Sequence, residues 1–239
     1  MAGLLVRRSQ KGYHARMKLY LASSNKHKKR EMSEILPEHE IVTPADEGIA
    51  FDPEETGETF LENSLIKARA LYLLTGQPVI ADDSGICVDA LGGVPGVWSS
   101  RYAGPQFHRG RPDGSKIPQE EQNAMLIGEL NEAIASGRID LAAGKKKGLF
   151  KDGLRSAHYT CAMVLLTGLN EYAAAVQVME GTLLEDVKEA RGSGGFGYDP
   201  IFFLPSYGRT AAELSADEKN AISHRGKAAR MLRAMLESK

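Results

Sequence analysis

Apolar and polar positions alternate along Met17–Ser23 ("MKLYLAS"), the two-residue period of a half-buried strand. The spacing then changes. In "SSNKHKKREMSEIL" the apolar residues Met32, Ile35 and Leu36 recur at helical intervals behind Asn25, a residue suited to cap a helix start. Pro37 closes that unit. Residues 38–58 are polar, interrupted by Pro44, Gly48, Pro53 and Gly57, with a short strand predicted near Ile41–Val42. Thr59-Phe60-Leu61-Glu62 has capping-box spacing and predicts a helix to about Leu74, stopped by Gly76 and Pro78. "PVIA" predicts a strand that ends in Asp82-Asp83-Ser84-Gly85, and "ICVDAL" a further strand.

The second half repeats the mixture. "GGVPGVWSSRYAGP" reads as a Gly/Pro-rich loop and "EEQNAMLIGELNEAIASG" as an amphipathic helix. "AHYTCAMVLLTG" and "EYAAAVQVMEGTLL" predict an antiparallel pair joined around Gly168-Leu169-Asn170. "RGSGGFGYDPIFFLP" is a glycine loop leading into a strand, and "SADEKNAISHRGKAARMLRAMLESK" is mostly helical. Strands and helices intermixed in this way imply an α/β or α+β fold.

Composition narrows the function classes. The chain has 239 residues, with 42% hydrophobic and 26% charged residues, enough for a sizeable core. Lys+Arg 30 against Asp+Glu 31 leaves no global field that would favour nucleic acid or an anionic membrane. No apolar run approaches the ~18 residues of a membrane span. Cys87 and Cys161, both in apolar strand-like runs, read as reduced buried thiols of a cytoplasmic protein. The first sixteen residues carry several bases and no acid. They read as a disordered extension, or as the product of a start codon assigned upstream of Met17, with a transit peptide as the other reading.

Local anomalies carry the chemistry. Lys26, His27, Lys28 and Lys29 crowd a helix start, where cations oppose the macrodipole unless an anion binds there. A solvated basic turn is the alternative. Glu54 and Glu55 beside Gly57, taken with the strand-end Asp82 and Asp83, form a carboxylate set suited to Mg²⁺, which accepts one or two protein carboxylates and fills the remainder with water and phosphate oxygens. Alternation sends Asp82 and Asp83 to opposite faces; both could instead cap a turn. Four glycines within Gly192–Gly197 allow a close backbone approach, Phe196 offers a stacking face and Asp199 an acceptor. Lys219, His224 and Arg225 are compactly spaced cations, with Ser223 able to cap a fresh helix. Together these features describe a nucleotide polyphosphate bound with Mg²⁺.

In order, "LASSNKHK", "EETGETFLENSLIKA", "ADDSGICVDALGGVPGVWSSRYAG", "GGFGYDPIF" and "AELSADEKNAISHRGKA" resemble the inosine triphosphate pyrophosphatase family, whose members are also called dITP/XTP pyrophosphatases. The resemblance spans about Lys18 to Leu236. It implies hydrolysis of non-canonical purine triphosphates (ITP, dITP, XTP) to the monophosphate and diphosphate with Mg²⁺, a house-cleaning role in the nucleotide pool. The implied fold is an elongated α/β structure, with a mixed sheet forming two lobes around a central nucleotide-binding cleft, in a homodimer. By motif, Ser23, Ser24, Asn25, Lys26, His27 and Lys28 are expected to bind the triphosphate, with Lys67 on phosphate. Glu55, Asp83 and its neighbour Asp82 are expected at the metal, Asp83 also as general base, with Ser84 in the substrate site. Phe196, Gly197, Tyr198 and Asp199 are expected to hold the base, and Lys219, His224 and Arg225 to read its 6-oxo group.

On this basis residues 17–239 form one two-lobed domain with an insertion near 137–155, which contains "GRIDLAAGKKKGLFKDG". Two rivals have testable signatures: a pyrophosphatase for pyrimidine or modified nucleotides, and a non-catalytic RNA-binding module built on the basic "KKKGLFK" loop. The carboxylate set and even charge disfavour the second. No stable nucleic-acid or membrane partner is therefore expected.

Overall fold

In the computed structural model residues 4–6, 16–139, 153–195 and 197–237 are described. The expected insertion thus lies largely outside the described residues, as does Phe196. The strands are β1 (Leu4–Val6), β2 (Lys18–Leu21), β3 (Glu40–Val42), β4 (Val79–Val88), β5 (Val94–Pro95), β6 (Ser156–Gly168), β7 (Glu171–Leu183), β8 (Phe202–Leu204) and β9 (Arg209–Thr210). The helices are α1 (Lys26–Ile35), α2 (Phe60–Thr75), α3 (Gln119–Ala135), α4 (Ala216–Ile222) and α5 (His224–Glu237). The sheet is open and mixed, in the order β3-β2-β4-β6-β7-β8-β9, with β1 on β7 and β5 on β4. β2 runs parallel to β3 and β4, whereas β1–β7, β4–β5, β7–β8 and β8–β9 are antiparallel. The mixed α/β class expected from the chain is therefore present.

The chain divides into two compact units, one of residues 1–84, 161–178 and 220–239, the other of 85–160 and 179–219. Strands β4, β6 and β7 contribute to both.

In the first unit the two-residue period of the strands sorts the core into two faces. Leu19, Leu21, Ile80, Met163 and Leu165 pack with Met32 and Ile35 of α1 and with Ala228, Ala229 and Leu232 of α5. Tyr20, Val79, Ala81, Val164 and Leu166 pack with Ala68 and Leu71 of α2. Local signals set the helix ends. Asn25 caps α1; Thr59 and Glu62 form the capping box of α2, and Gly76 ends α2 in the left-handed conformation at φ 62°. Cys161 and Cys87 are free and buried, and burial pushes the Cys161 thiol up to about 12.

In the second unit Tyr102, Leu126, Leu130 and Phe202 are fully buried, and Tyr159 meets Phe202 edge-on at 4.9 Å between centroids. The turn at 96–99 packs on Gly85, where an added Cβ would overlap the Gly96 carbonyl and Ser99 Oγ.

Two features differ from the sequence expectation. The run Asp82-Asp83-Ser84-Gly85 predicts a strand end, yet β4 continues unbroken to Val88. Buried acids normally mark a boundary; here each meets a cation on its own face of the sheet. The fresh helix expected behind Ser223 is present: its Oγ accepts from the Gly226 N–H (3.0 Å) and caps α5. Within the N-terminal sixteen residues, Leu4–Val6 forms β1 opposite Ala173–Ala175, an element with no periodic signal in the sequence.

Candidate active site

The first unit brings together the helix start, both aspartates and the 224–225 pair. β2 delivers the chain to Ser23, whose Oγ accepts from the Asn25 N–H (3.1 Å). Asn25 Oδ1 in turn accepts from the N–H groups of His27 (2.8 Å) and Lys28 (3.4 Å). The first turn of α1 holds no acid. Ser24, Lys26 and His27 are exposed there, so the positive helix end and its cations face solvent as an anion site requires. Lys28 instead turns inward, its Nζ 3.0 Å from Asp82 Oδ2.

Asp82 follows Ile80 onto the α1/α5 face. Its Oδ2 also lies 3.1 Å from Arg225 Nε and accepts from Ser84 Oγ at 2.8 Å. Arg225 is buried, reaching Glu31 Oε2 through Nη1 (2.8 Å) and Ser84 Oγ through Nη2 (3.2 Å). Burial alone would raise the Asp82 pKa, but the charges of Lys28, then Arg225 and Lys67, hold it well below the ordinary carboxylate range. Asp82 Oδ1 is buried with no hydrogen-bond partner among the described residues.

Asp83 follows Ala81 onto the α2 face. Lys67 and Asn63, one helical turn apart on α2, meet it there: Lys67 Nζ lies 3.3 Å from Oδ1, and Asn63 Nδ2 donates to Oδ2 at 3.2 Å. Asn63 Oδ1 simultaneously accepts from the Gly57 N–H (2.8 Å), which anchors the loop carrying Glu55. Glu55 Oε2 then reaches the same Lys67 Nζ at 2.9 Å. One ammonium thus serves two carboxylates. Burial works against the charge on Lys67, but Asp83, Asp82 and Glu55 together raise its pKa. Burial lifts Asp83 above the ordinary carboxylate value against the opposing charge of Lys67, and the negative charge of Glu55 adds to the rise.

Two oxygen-bearing side chains from different elements therefore converge on one cationic atom. That donor set suits a hard divalent cation, which needs only one or two protein carboxylates. Glu55 and Asp83 could hold one, whereas Asp82 Oδ2 is committed to Arg225, Lys28 and Ser84. Asn63 and Glu31 are members of the cluster that the sequence did not single out. Asn63 was detectable only as the residue one helical turn before Lys67.

The second unit brings together the other group. Asp199 begins the short 3-10 turn Asp199–Ile201, and its Oδ2 lies 2.5 Å from Lys219 Nζ; both residues are buried. Gly195, at φ 73°, lies against this pair: a Cβ there would overlap Asp199 Oδ2 and stand 2.9 Å from Lys219 Nζ. Gly192 and Gly194 lie similarly close to the Ala212 backbone. Tyr198 is turned into the core, its hydroxyl donating to the Ser99 carbonyl at 2.8 Å, while the Gly197 carbonyl accepts from Asn123 Nδ2 at 3.4 Å. Burial raises the Tyr198 pKa. His224 is buried at the start of α5 in the first unit.

An open mixed sheet whose interior strand β4 carries two oppositely facing, cation-paired aspartates, with a basic helix start in the same unit, defines the class of α/β protein. The chain belongs to the Ham1 family, whose model matches residues 19–235. It is 48% identical over 212 residues to a dITP/XTP pyrophosphatase of Treponema denticola, covering 89% of this chain and 94% of that protein. It is 41% identical to a dITP/XTP pyrophosphatase of Coxiella burnetii, covering 92% and 96% respectively. Among solved structures, a HAM1 protein from Coxiella burnetii superposes with a TM-score of 0.74 at 38% identity, over 93% of this chain and all of that one. The Staphylococcus aureus Ham1 protein gives a TM-score of 0.71 at 31% identity, over 92% of this chain and 98% of that one.

Proposed function

We propose that the protein is a Mg²⁺-dependent nucleoside triphosphate pyrophosphohydrolase acting on ITP, dITP and XTP, in a cytoplasmic homodimer that clears deaminated purines from the nucleotide pool. The observation that carries this reading is the convergence of Glu55 and Asp83 on one cation beside the basic start of α1. The names of the relatives supply the substrate class. No described helix is long and apolar enough to cross a membrane.

In this reading the triphosphate lies against the basic start of α1 at residues 23–28, with Lys67 on a phosphate oxygen. Glu55 and Asp83 would hold Mg²⁺, which would lower the pKa of water and offset charge on the phosphates. Asp83 takes a proton from the water as the water oxygen bonds to the α-phosphorus. The bond from that phosphorus to the α–β bridging oxygen breaks, and diphosphate departs. Asp83 suits the proton transfer because it is fixed in β4 and oriented by Asn63 and Lys67. Asp82 keeps the negative charge that fixes Lys28 and Arg225. The base is assigned to Phe196–Asp199 and Lys219.

The test is diphosphate release from dITP, XTP, GTP and ATP, with and without Mg²⁺. Release from dITP and XTP that requires Mg²⁺ and far exceeds release from ATP is expected. Equal rates on all four nucleotides would remove the selection for non-canonical 6-oxo purines.

A further inference from the structure

The proposed site contains its own cation. Lys67 Nζ lies 2.9 Å from Glu55 Oε2 and 3.3 Å from Asp83 Oδ1, and the lysine is only 8% exposed. No other cation is paired with Glu55 or Asp83 among the described residues. The two acids differ in freedom. Asp83 is fixed in β4 and held by Asn63, whereas Glu55 belongs to a stretch without regular structure. Its tether is the Gly57–Asn63 bond, so the ammonium also sets where the loop carboxylate stands.

We infer that Lys67 is the resident counter-ion of the divalent site: it holds Glu55 and Asp83 together while no nucleotide is bound, and leaves that place when a triphosphate arrives to receive its ammonium. The inference rests on the metal assignment made above for Glu55 and Asp83.

Charge counting gives the reason. Two carboxylates and one ammonium sum to −1. A divalent ion added to that set would make +1, with two cations a few ångströms apart in a buried setting, where repulsion is weakly screened. Among the described residues no group of three or more His, Cys, Asp or Glu side chains is placed to hold a metal, so protein ligands alone do not outweigh that repulsion. A triphosphate changes the sum. Its oxygens complete the coordination shell that Mg²⁺ prefers, and its charge draws the ammonium away. Metal and nucleotide then favour one another, as linkage requires when each relieves the other's repulsion. The lysine also keeps the acids in position between turnovers, so the apo site neither splays nor traps stray cations.

The experiment measures cation binding without nucleotide. Mn²⁺ titration followed by electron paramagnetic resonance, and thermal unfolding with and without Mg²⁺, are applied to the full-length wild type, Lys67→Gln and Lys67→Met. Wild type is expected to take up no Mn²⁺ saturably below about 1 mM, and Mg²⁺ to leave its Tm unchanged. Removing the ammonium should tighten Mn²⁺ binding at least about tenfold and make Tm rise with Mg²⁺. Should the variants fold only in Mg²⁺, that dependence supports the exchange. Equal Mn²⁺ affinity in wild type and variants, micromolar binding by nucleotide-free wild type, or variants that no divalent ion rescues would overturn it. Diphosphate release from dITP by the same wild-type preparation reports on the proposed function alone. Its absence would remove that function and leave the counter-ion result standing.

Discussion

Asp82 and Asp83 are neighbours in β4 whose carboxylates meet different helices: Asp82 pairs with Arg225 of α5 at 3.1 Å, and Asp83 with Lys67 of α2 at 3.3 Å. Strand alternation is the whole cause, and it separates two tasks within two residues. The Asp82 side ties α1, β4 and α5 into one charged junction. The Asp83 side faces a loop acid and a single shared lysine.

Substitution should therefore separate stability from turnover. Asp82→Asn leaves Arg225 and Lys28 facing a neutral amide in a buried setting and should cost about 3 kcal/mol, measured by urea unfolding. The folded Asp82 pKa lies below its unfolded value of 3.8, so its contribution is complete above that pH and drains away as pH falls. Asp83→Asn should fold, still bind dITP by calorimetry, and lose roughly 10²- to 10⁴-fold in kcat. An Asp83→Asn enzyme with wild-type turnover would take that residue out of the proton transfer.

What could be read from the chain and what could not divides by sequence separation. The Asn25 cap, the Thr59–Glu62 capping box and the Gly76 stop are local patterns, each decided within a few residues. The opposite facing of Asp82 and Asp83 was legible too, because it follows from the period of a strand. The continuity of β4 was not. Arg225 lies 143 residues beyond Asp82, and without it two acids and a glycine look like a turn. Arg225 itself reads as a ligand-facing cation until Glu31, Asp82 and Ser84 are seen around it. The same holds for Asn63, which spends its amide on two elements at once.

The buried Lys219–Asp199 pair supplies a second test. A methyl group at Gly195 would overlap Asp199 Oδ2 and would also sit on a residue at φ 73°. Gly195→Ala should displace the carboxylate from its lysine and strain the loop. The expected result is a lower Tm together with a narrowed ratio of dITP to dATP hydrolysis. A variant that is destabilised but keeps the wild-type ratio would confine the pair to structure.

His158 on β6 gives a pH-dependent prediction away from the site. Its Nδ1 lies 3.0 Å from Asp89 Oδ1, and hydrogen bonding to Asp89, then to Cys87, pushes its pKa from 6.5 up to about 10. The folded value is raised, so the stabilisation is complete below pH 6.5, declines above it and is lost as pH passes about 10. His158→Gln should lower Tm at pH 6 and have little effect above pH 10. A Tm difference that is constant across this range would show that the histidine acts through packing alone.

The loop that carries Glu55 depends on one close approach. Gly57 lies so near α2 that a Cβ would stand 2.7 Å from both Asn63 Oδ1 and Glu62 Cβ. Its N–H donation to Asn63 is also what holds the loop beside Asp83. Gly57→Ala must push the loop outward, which moves Glu55 and leaves Asp83 in β4. The proposed metal site would then lose one carboxylate while the base stays in place. The expected signature is a rise of about tenfold or more in the Mg²⁺ concentration for half-maximal diphosphate release, with kcat largely recovered at saturating Mg²⁺. A fall in kcat that Mg²⁺ does not restore would mean instead that the displacement reaches Asp83 through Asn63, and that the loop positions the base rather than the metal.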